Sequence, residues 1–129
     1  MSGFVIEVSA AIELMPRTDP DAIRLLESSF YAPELIDVEF ASVIRKLLLR
    51  GRLSEYDAES AVTSWSGNRV VRSPSKPFLQ RIWRMKDNIT PYDAAYVALA
   101  EYLEIPLLTA DLRLAAAAQR YCAIATLRD

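Results

Sequence analysis

A chain of 129 residues that is 52% hydrophobic and 25% charged has the size and composition of one folded domain with a substantial core. It has no histidine and a single cysteine, Cys122, which excludes Ser-His-Asp and Cys-His nucleophile systems, zinc sites built from those residues and an intrachain disulfide. The net charge of −2 excludes a uniformly basic nucleic-acid binder, so any chemistry falls to carboxylates, hydroxyls, lysines and arginines.

Phe4-Val5-Ile6 is a short apolar run that reads as a buried parallel strand ending at Glu7. Ser9 to Leu14 reads as a helix stopped by Pro16. Asp19 and Pro20 then supply an N-cap and a first helical residue for a helix running to about Ser28. Phe30 to Ala32 is a candidate strand that Pro33 ends. Pro33 also opens the strongest helix of the chain, Glu34 to Arg50, with Leu35, Ile36, Val43, Ile44, Leu47 and Leu48 on a wide apolar face and Gly51 as its stop. Ser54, with Asp57 three residues on, starts a helix to about Trp65, ended by Gly67-Asn68. Arg69 to Arg72 is a short strand, and Ser75 to Lys86 is a helix. Thr90-Pro91-Tyr92-Asp93 opens another that ends near Leu103. Leu107 to Thr109 is a strand, Asp111 to Arg120 a helix, and Cys122 to Leu127 a last strand. The alternation predicts an α/β fold, a small, mostly parallel sheet flanked by helices, in a single domain over residues 1–129. The N-terminus has no basic n-region and no apolar run reaches about 18 residues, so a cytoplasmic protein without a signal peptide or membrane span is expected.

Four acids stand out. Glu7 and Asp111 each follow a strand, and open parallel sheets bind ligands at the carboxyl ends of their strands. If those strands are neighbours, both acids face one crevice. Glu39 interrupts the apolar face of the long helix, either as a carboxylate reaching water at the rim of the core or as part of a site. Asp93 is either the capping partner of Thr90 or a site residue, and Asp111 is equally an N-cap. Four converging carboxylates, each pair about 5 Å apart, would repel by roughly 3 kcal/mol per pair at an effective dielectric of about 20. Such a cluster needs a cation, and oxygen-only ligands suit Mg²⁺ or Mn²⁺. Phosphodiester hydrolysis is the reaction that arrangement serves without a histidine base.

The stretch Arg84-Met85-Lys86-Asp87-Asn88-Ile89-Thr90-Pro91-Tyr92-Asp93-Ala94-Ala95-Tyr96-Val97-Ala98-Leu99-Ala100 resembles the N-(V/I)-T-x-Y-D-A-x-Y-V-A-L-A motif of PIN-domain ribonucleases. Leu107-Leu108-Thr109-Ala110-Asp111-Leu112-Arg113-Leu114, Ala32-Pro33-Glu34-Leu35-Ile36-Asp37-Val38-Glu39 and Val5-Ile6-Glu7-Val8-Ser9-Ala10-Ala11 are similar to three further motifs of that family. The resemblance is strongest to bacterial VapC-type toxins of toxin–antitoxin pairs and covers essentially the whole chain. It implies a PIN-like fold and a metal-dependent endoribonuclease. Glu39, Asp93 and Asp111 match the family's metal-binding acids, and Glu7 stands where the family has its first aspartate. Ser9 and Thr109 match supporting hydroxyls. In the family these groups hold one or two Mg²⁺ or Mn²⁺ ions and an attacking water cleaves the RNA backbone. Glutamate at position 7 carries one methylene more than aspartate, and a misplacement of about 1 Å can cost on the order of 100-fold in rate. Glu7→Asp is therefore expected to raise Mg²⁺-dependent cleavage.

Candidate RNA phosphate contacts are Arg113, Arg84 and Lys86, each equally readable as a solvated surface charge. No aromatic pair of the kind used by RNA-binding sheets is present. The early helices carry more apolar residues than one face needs, among them Ile23, Leu25, Leu26, Phe30 and Tyr31. In the resembling family this region receives a VapB-type antitoxin segment, and homodimers are usual. The alternative is a catalytically impaired PIN-like protein that acts by binding RNA or a partner.

Overall fold

The computed structural model describes residues 3–127; positions 1, 2, 128 and 129 of the expected domain lie outside the described residues. Five short strands form one sheet: β1 (Gly3–Ile6), β2 (Ser29–Pro33), β3 (Val71–Ser73), β4 (Leu107–Thr109) and β5 (Ile124–Thr126). Their order is β3-β2-β1-β4-β5 and every pairing is parallel, as the alternation of elements predicts. Seven α-helices accompany them among the described residues: α1 (Val8–Leu14), α2 (Pro20–Leu26), α3 (Ile36–Leu49), α4 (Glu55–Ser66), α5 (Leu79–Arg84), α6 (Pro91–Leu103) and α7 (Leu112–Ala118). None of them is long and apolar enough to cross a membrane.

By contact density the chain forms two compact units, Met1–Glu34 with Val70–Asp129, and Leu35–Arg69. The first unit holds the whole sheet. Its centre is α6, where every residue from Ala94 to Ala100 is buried. The four alanines of that run let α6 lie close against β1, β2, β4 and α5. Each fully buried large apolar side chain there, such as Val97 or Leu107, contributes about 1.5–3 kcal/mol by leaving water. β1 and β2 also approach closely at Gly3, where a Cβ would stand 2.9 Å from the Ser29 carbonyl oxygen. Only glycine fits that position without a shift of backbone.

The second unit is the pair α3 and α4. Trp65 stacks on Phe40 with centroids 4.6 Å apart and planes at 9°, and its Nε1 donates to Asp37 at 2.8 Å. Gly51, at φ 71°, makes the turn after α3 in a conformation that other residues enter only with strain. Ser54 caps α4 by accepting from the Asp57 amide at 3.0 Å, as its spacing predicts.

Most elements differ from the sequence expectation by a residue or two at their ends, and at three places the physical reason is clear. The long helix begins at Ile36, not Glu34, because Pro33 is the last residue of β2 and the Glu34 amide extends the ladder to the Ser73 carbonyl at 3.0 Å. A strand end tolerates proline because the next residue supplies the donor. The helix expected over Ser75–Lys86 is a 3₁₀ turn, Lys76–Phe78, followed by α5. Pro77 starts that turn, and Phe78, at φ −104° and ψ 5°, leaves helical geometry so that its ring meets Tyr102 edge-on at 5.4 Å. The strand expected over Arg69–Arg72 sits at Val71–Ser73, in register with Tyr31–Pro33.

Candidate active site

β1 and β4 are neighbours, and the strand order reverses between them. From β1 the chain crosses outward to β2 and β3, then returns to β4 on the other side. A crevice opens at the carboxyl ends of the strands at such a point. Glu7 leaves β1 and Asp111 leaves β4 at that end, which meets the condition set by the sequence.

Glu7 is held from both directions. Its amide donates to the Leu108 carbonyl at 2.9 Å, and its side chain is only 5% exposed. Glu7 precedes α1 without capping it, so its carboxylate is free to turn toward β4. There Thr109 Oγ1 donates to Glu7 Oε1 at 2.6 Å, and Ser9 Oγ donates to the same oxygen. Each hydroxyl also accepts a backbone N–H: Ser9 Oγ from Ala110 at 3.0 Å, Thr109 Oγ1 from Asp111 at 3.0 Å. The incoming amides occupy the hydroxyl lone pairs and leave each hydroxyl hydrogen to point at Glu7. Thr109 is fully buried, so this bridge from Glu7 to the Asp111 backbone is shielded from water. Thr109→Val keeps the shape and removes the bridge. It is expected to cost about 2 kcal/mol and lower Tm by about 6–8 °C in a thermal melt.

Asp111 is exposed and caps α7, its Oδ1 accepting from the amides of Arg113 at 3.0 Å and Leu114 at 3.2 Å. Asp93 is partly buried in the first turn of α6. Its amide donates to Thr90 Oγ1 at 3.3 Å. The capping role read from sequence is filled by Asp111; at the start of α6 it is Thr90 that caps, accepting from the Asp93 amide. At Asp93 burial pushes the carboxyl above the ordinary aspartate value, and the negative charges of Glu7 and Asp111 push it further, against an opposing hydrogen bond from the Thr90 side chain. Two acids distant in sequence thus both bear on the Asp93 carboxyl.

Among the described residues, no group of three or more aspartate, glutamate, cysteine or histidine side chains is set closely enough to hold a metal ion. Each of the three carboxylates is turned to a local donor instead: Glu7 to two hydroxyls, Asp111 to two amides, Asp93 to Thr90. The donors themselves are all hard oxygens, the kind that Mg²⁺ and Mn²⁺ prefer, in a place where negative charge is already concentrated. By that chemistry the residues fit such an ion.

Glu39 lies on α3 in the second unit, partly buried. Of the three candidate phosphate contacts, Arg113 is exposed at the start of α7, beside Asp111, and Arg84 and Lys86 are exposed at and just after the end of α5. The Lys86 ammonium stands 5.1 Å from the centroid of the Trp83 ring. Ile23 and Leu26 on α2 are about half exposed, at 49% and 47%.

Comparison with known proteins identifies the family. The PIN domain family matches residues 4–120. The chain is 40% identical over 121 residues to Ribonuclease VapC9 of Mycobacterium tuberculosis, covering 93% of this chain and 94% of that protein. It is 40% identical over 114 residues to Ribonuclease VapC12 of the same organism, covering 86% and 88%, and 36% identical over 135 aligned positions to its Ribonuclease VapC1, covering 99% and 100%. Its fold is similar to the crystal structure of PAE2754 from Pyrobaculum aerophilum, with a TM-score of 0.72 at 20% identity over 95% of this chain and 89% of that one. The parallel sheet, its switch-point acids and these relatives together place the chain in the PIN-domain family, alongside the VapC proteins.

Proposed function

We propose that this protein is a Mg²⁺- or Mn²⁺-dependent endoribonuclease, the toxin of a type II toxin–antitoxin pair. The observation that carries the reading is that Glu7, seated by Ser9 and Thr109, and Asp111, whose amide Thr109 also holds, leave the neighbouring parallel strands β1 and β4 at the same end of the sheet. The relatives named as ribonucleases, at up to 40% identity over most of the chain, support it. Glu7, Asp93 and Asp111 of the sheet-bearing unit would hold the ion, with Ser9 and Thr109 in support; the resemblance alone adds Glu39, on α3 of the other unit, to the set of acids. When bound, the ion supplies Lewis-acid activation of water and neutralises charge at the phosphodiester.

The chain's own contribution is placement. Ser9 and Thr109 aim the Glu7 carboxylate, and Thr109 couples it to the Asp111 backbone. The amides at the start of α7 fix Asp111. Thr90 fixes Asp93 at the start of α6. Arg113 is placed next to Asp111 to meet a phosphate of the RNA, with Arg84 and Lys86 on α5 and its following turn as further contacts.

The exposed Ile23 and Leu26 on α2, with the partly buried Leu25, Phe30 and Tyr31, supply apolar surface for a VapB-type antitoxin segment. We further read residues 1–129 as one PIN domain that works in the cytoplasm as a homodimer. Incubating the purified protein with single-stranded RNA and Mn²⁺ is expected to give discrete endonucleolytic products. EDTA is expected to abolish them and excess Mg²⁺ or Mn²⁺ to restore them. Cleavage that persists undiminished in EDTA would rule out the metal-dependent reading. The absence of a close-set acidic group among the described residues favours a second reading, an RNA- or partner-binding protein that no longer cuts. RNA binding without products at any Mn²⁺ concentration would select it.

A further inference from the structure

Tyr121 joins the two helices that carry Asp93 and Asp111. It follows α7, whose N-cap is Asp111, and its amide closes the end of that helix on the Ala118 carbonyl at 2.8 Å. Its hydroxyl accepts from Asn88 Nδ2 at 2.7 Å, a contact across 33 residues of sequence. Asn88 sits in the turn that enters α6, where the amides of Asn88 and Ile89 both donate to the Met85 carbonyl at 3.0 Å. Thr90 then caps α6, and Asp93 follows. One side-chain hydrogen bond therefore ties the exit of α7 to the entry of α6.

The tyrosine ring is itself held. The Arg81 guanidinium lies 5.5 Å from its centroid, and that of Arg120 lies 6.0 Å away. Arg81 is in turn fixed by two parallel bonds to Glu101, at 2.7 and 2.8 Å, so α5, the far end of α6 and the segment after α7 meet at one ring. Like charges on Glu7, Asp93 and Asp111 push their carriers apart, and the arrangement needs ties that are not themselves acidic.

We propose that Tyr121 is a positioning residue, which acts through Asn88 to hold the entry of α6 and with it the place of Asp93 in the first turn of that helix. This rests on the acidic-site reading above. Tyr121→Phe removes only the hydroxyl and keeps the ring for Arg81; Asn88→Ala removes the donor. In the full chain each variant is expected to speed hydrogen exchange at the Ile89, Asp93 and Ala94 amides about fivefold, the scale of one lost hydrogen bond. Each is expected to lower kcat for RNA cleavage about tenfold with KM unchanged within about twofold, because geometry and not substrate binding is altered. The double variant is expected to be no worse than either single, since both break one bond.

Unchanged exchange at those amides in Tyr121→Phe would overturn the proposal. So would faster exchange with unchanged kcat, or single effects that multiply in the double variant. If the wild-type protein cleaves no RNA under any condition, the acidic-site reading fails, while the exchange data still decide whether the tie exists.

Discussion

Asp93→Asn is expected to lower RNA cleavage by on the order of 100-fold or more while leaving the metal-free protein at least as stable as wild type at neutral pH. The carboxyl of Asp93 is pushed above its ordinary 3.8 by burial first, then by the charges of Glu7 and Asp111. The folded state therefore keeps this proton at pH values where the unfolded chain has lost it. Between 3.8 and the raised folded value the folded state binds more protons, so metal-free stability falls as pH rises through that window and is level above it. Asparagine is neutral at every pH and removes that slope. A bound divalent cation favours the charged carboxylates, so Mg²⁺ is expected to raise the Tm of wild type and to raise that of Asp93→Asn much less. Melts from about pH 4 to about pH 7, with and without Mg²⁺, check both halves. An Asp93→Asn protein that is less stable than wild type without metal at neutral pH would show that Asp93 serves the fold and not a charged site.

Four of the helix starts and the parallel character of the sheet were legible, the starts because they depend on short-range chemistry. Asp19, Ser54, Thr90 and Asp111 each precede a helical pattern and each caps a helix, since an orphan amide and a side-chain oxygen three residues apart decide the matter locally. Glu7 and Asp111 were placed at strand ends by the apolar runs before them, and the parallel pairing of β1 with β4 makes them neighbours. What stayed hidden depends on partners far along the chain. The register of β3 is set by Tyr31–Pro33, not by the residues around Val71. Phe78 breaks its helix in order to meet Tyr102. Asn88 and Tyr121 carry no local pattern at all, and only the fold brings them to 2.7 Å. Thr109 was named as a supporting hydroxyl by resemblance. Its double role, donor to Glu7 and acceptor from Asp111, follows only from the geometry.

At Glu7 the resemblance and the hydrogen bonds lead to opposite expectations. Glu7→Gln keeps an Oε1 able to accept from Ser9 and Thr109, so the fold is expected to lose no more than about 1 kcal/mol. Losing the charge is expected to lower cleavage on the order of 100-fold and to abolish the rise of Tm with Mg²⁺. Glu7→Asp keeps the charge and withdraws it by one methylene, roughly 1.5 Å, which is more than a hydrogen bond of 2.6 Å from Thr109 can follow. Thr109 then loses its carboxylate acceptor in a buried place and keeps only the longer contact to Ser9 Oγ at 3.3 Å, at a cost of about 2 kcal/mol and about 6–8 °C in Tm. The resemblance to a family that has aspartate there predicts faster cleavage from Glu7→Asp. The seating of Ser9 and Thr109 around the longer side chain predicts the reverse, a fall of about tenfold, because the carboxylate leaves the place where Thr109 couples it to Asp111. Cleavage rates and melts on the two variants separate charge from reach. Faster cleavage by Glu7→Asp with no loss of Tm would mean that the hydroxyls do not depend on the length of this side chain. A joint fall in rate and Tm would mean that the site is built to the reach of a glutamate.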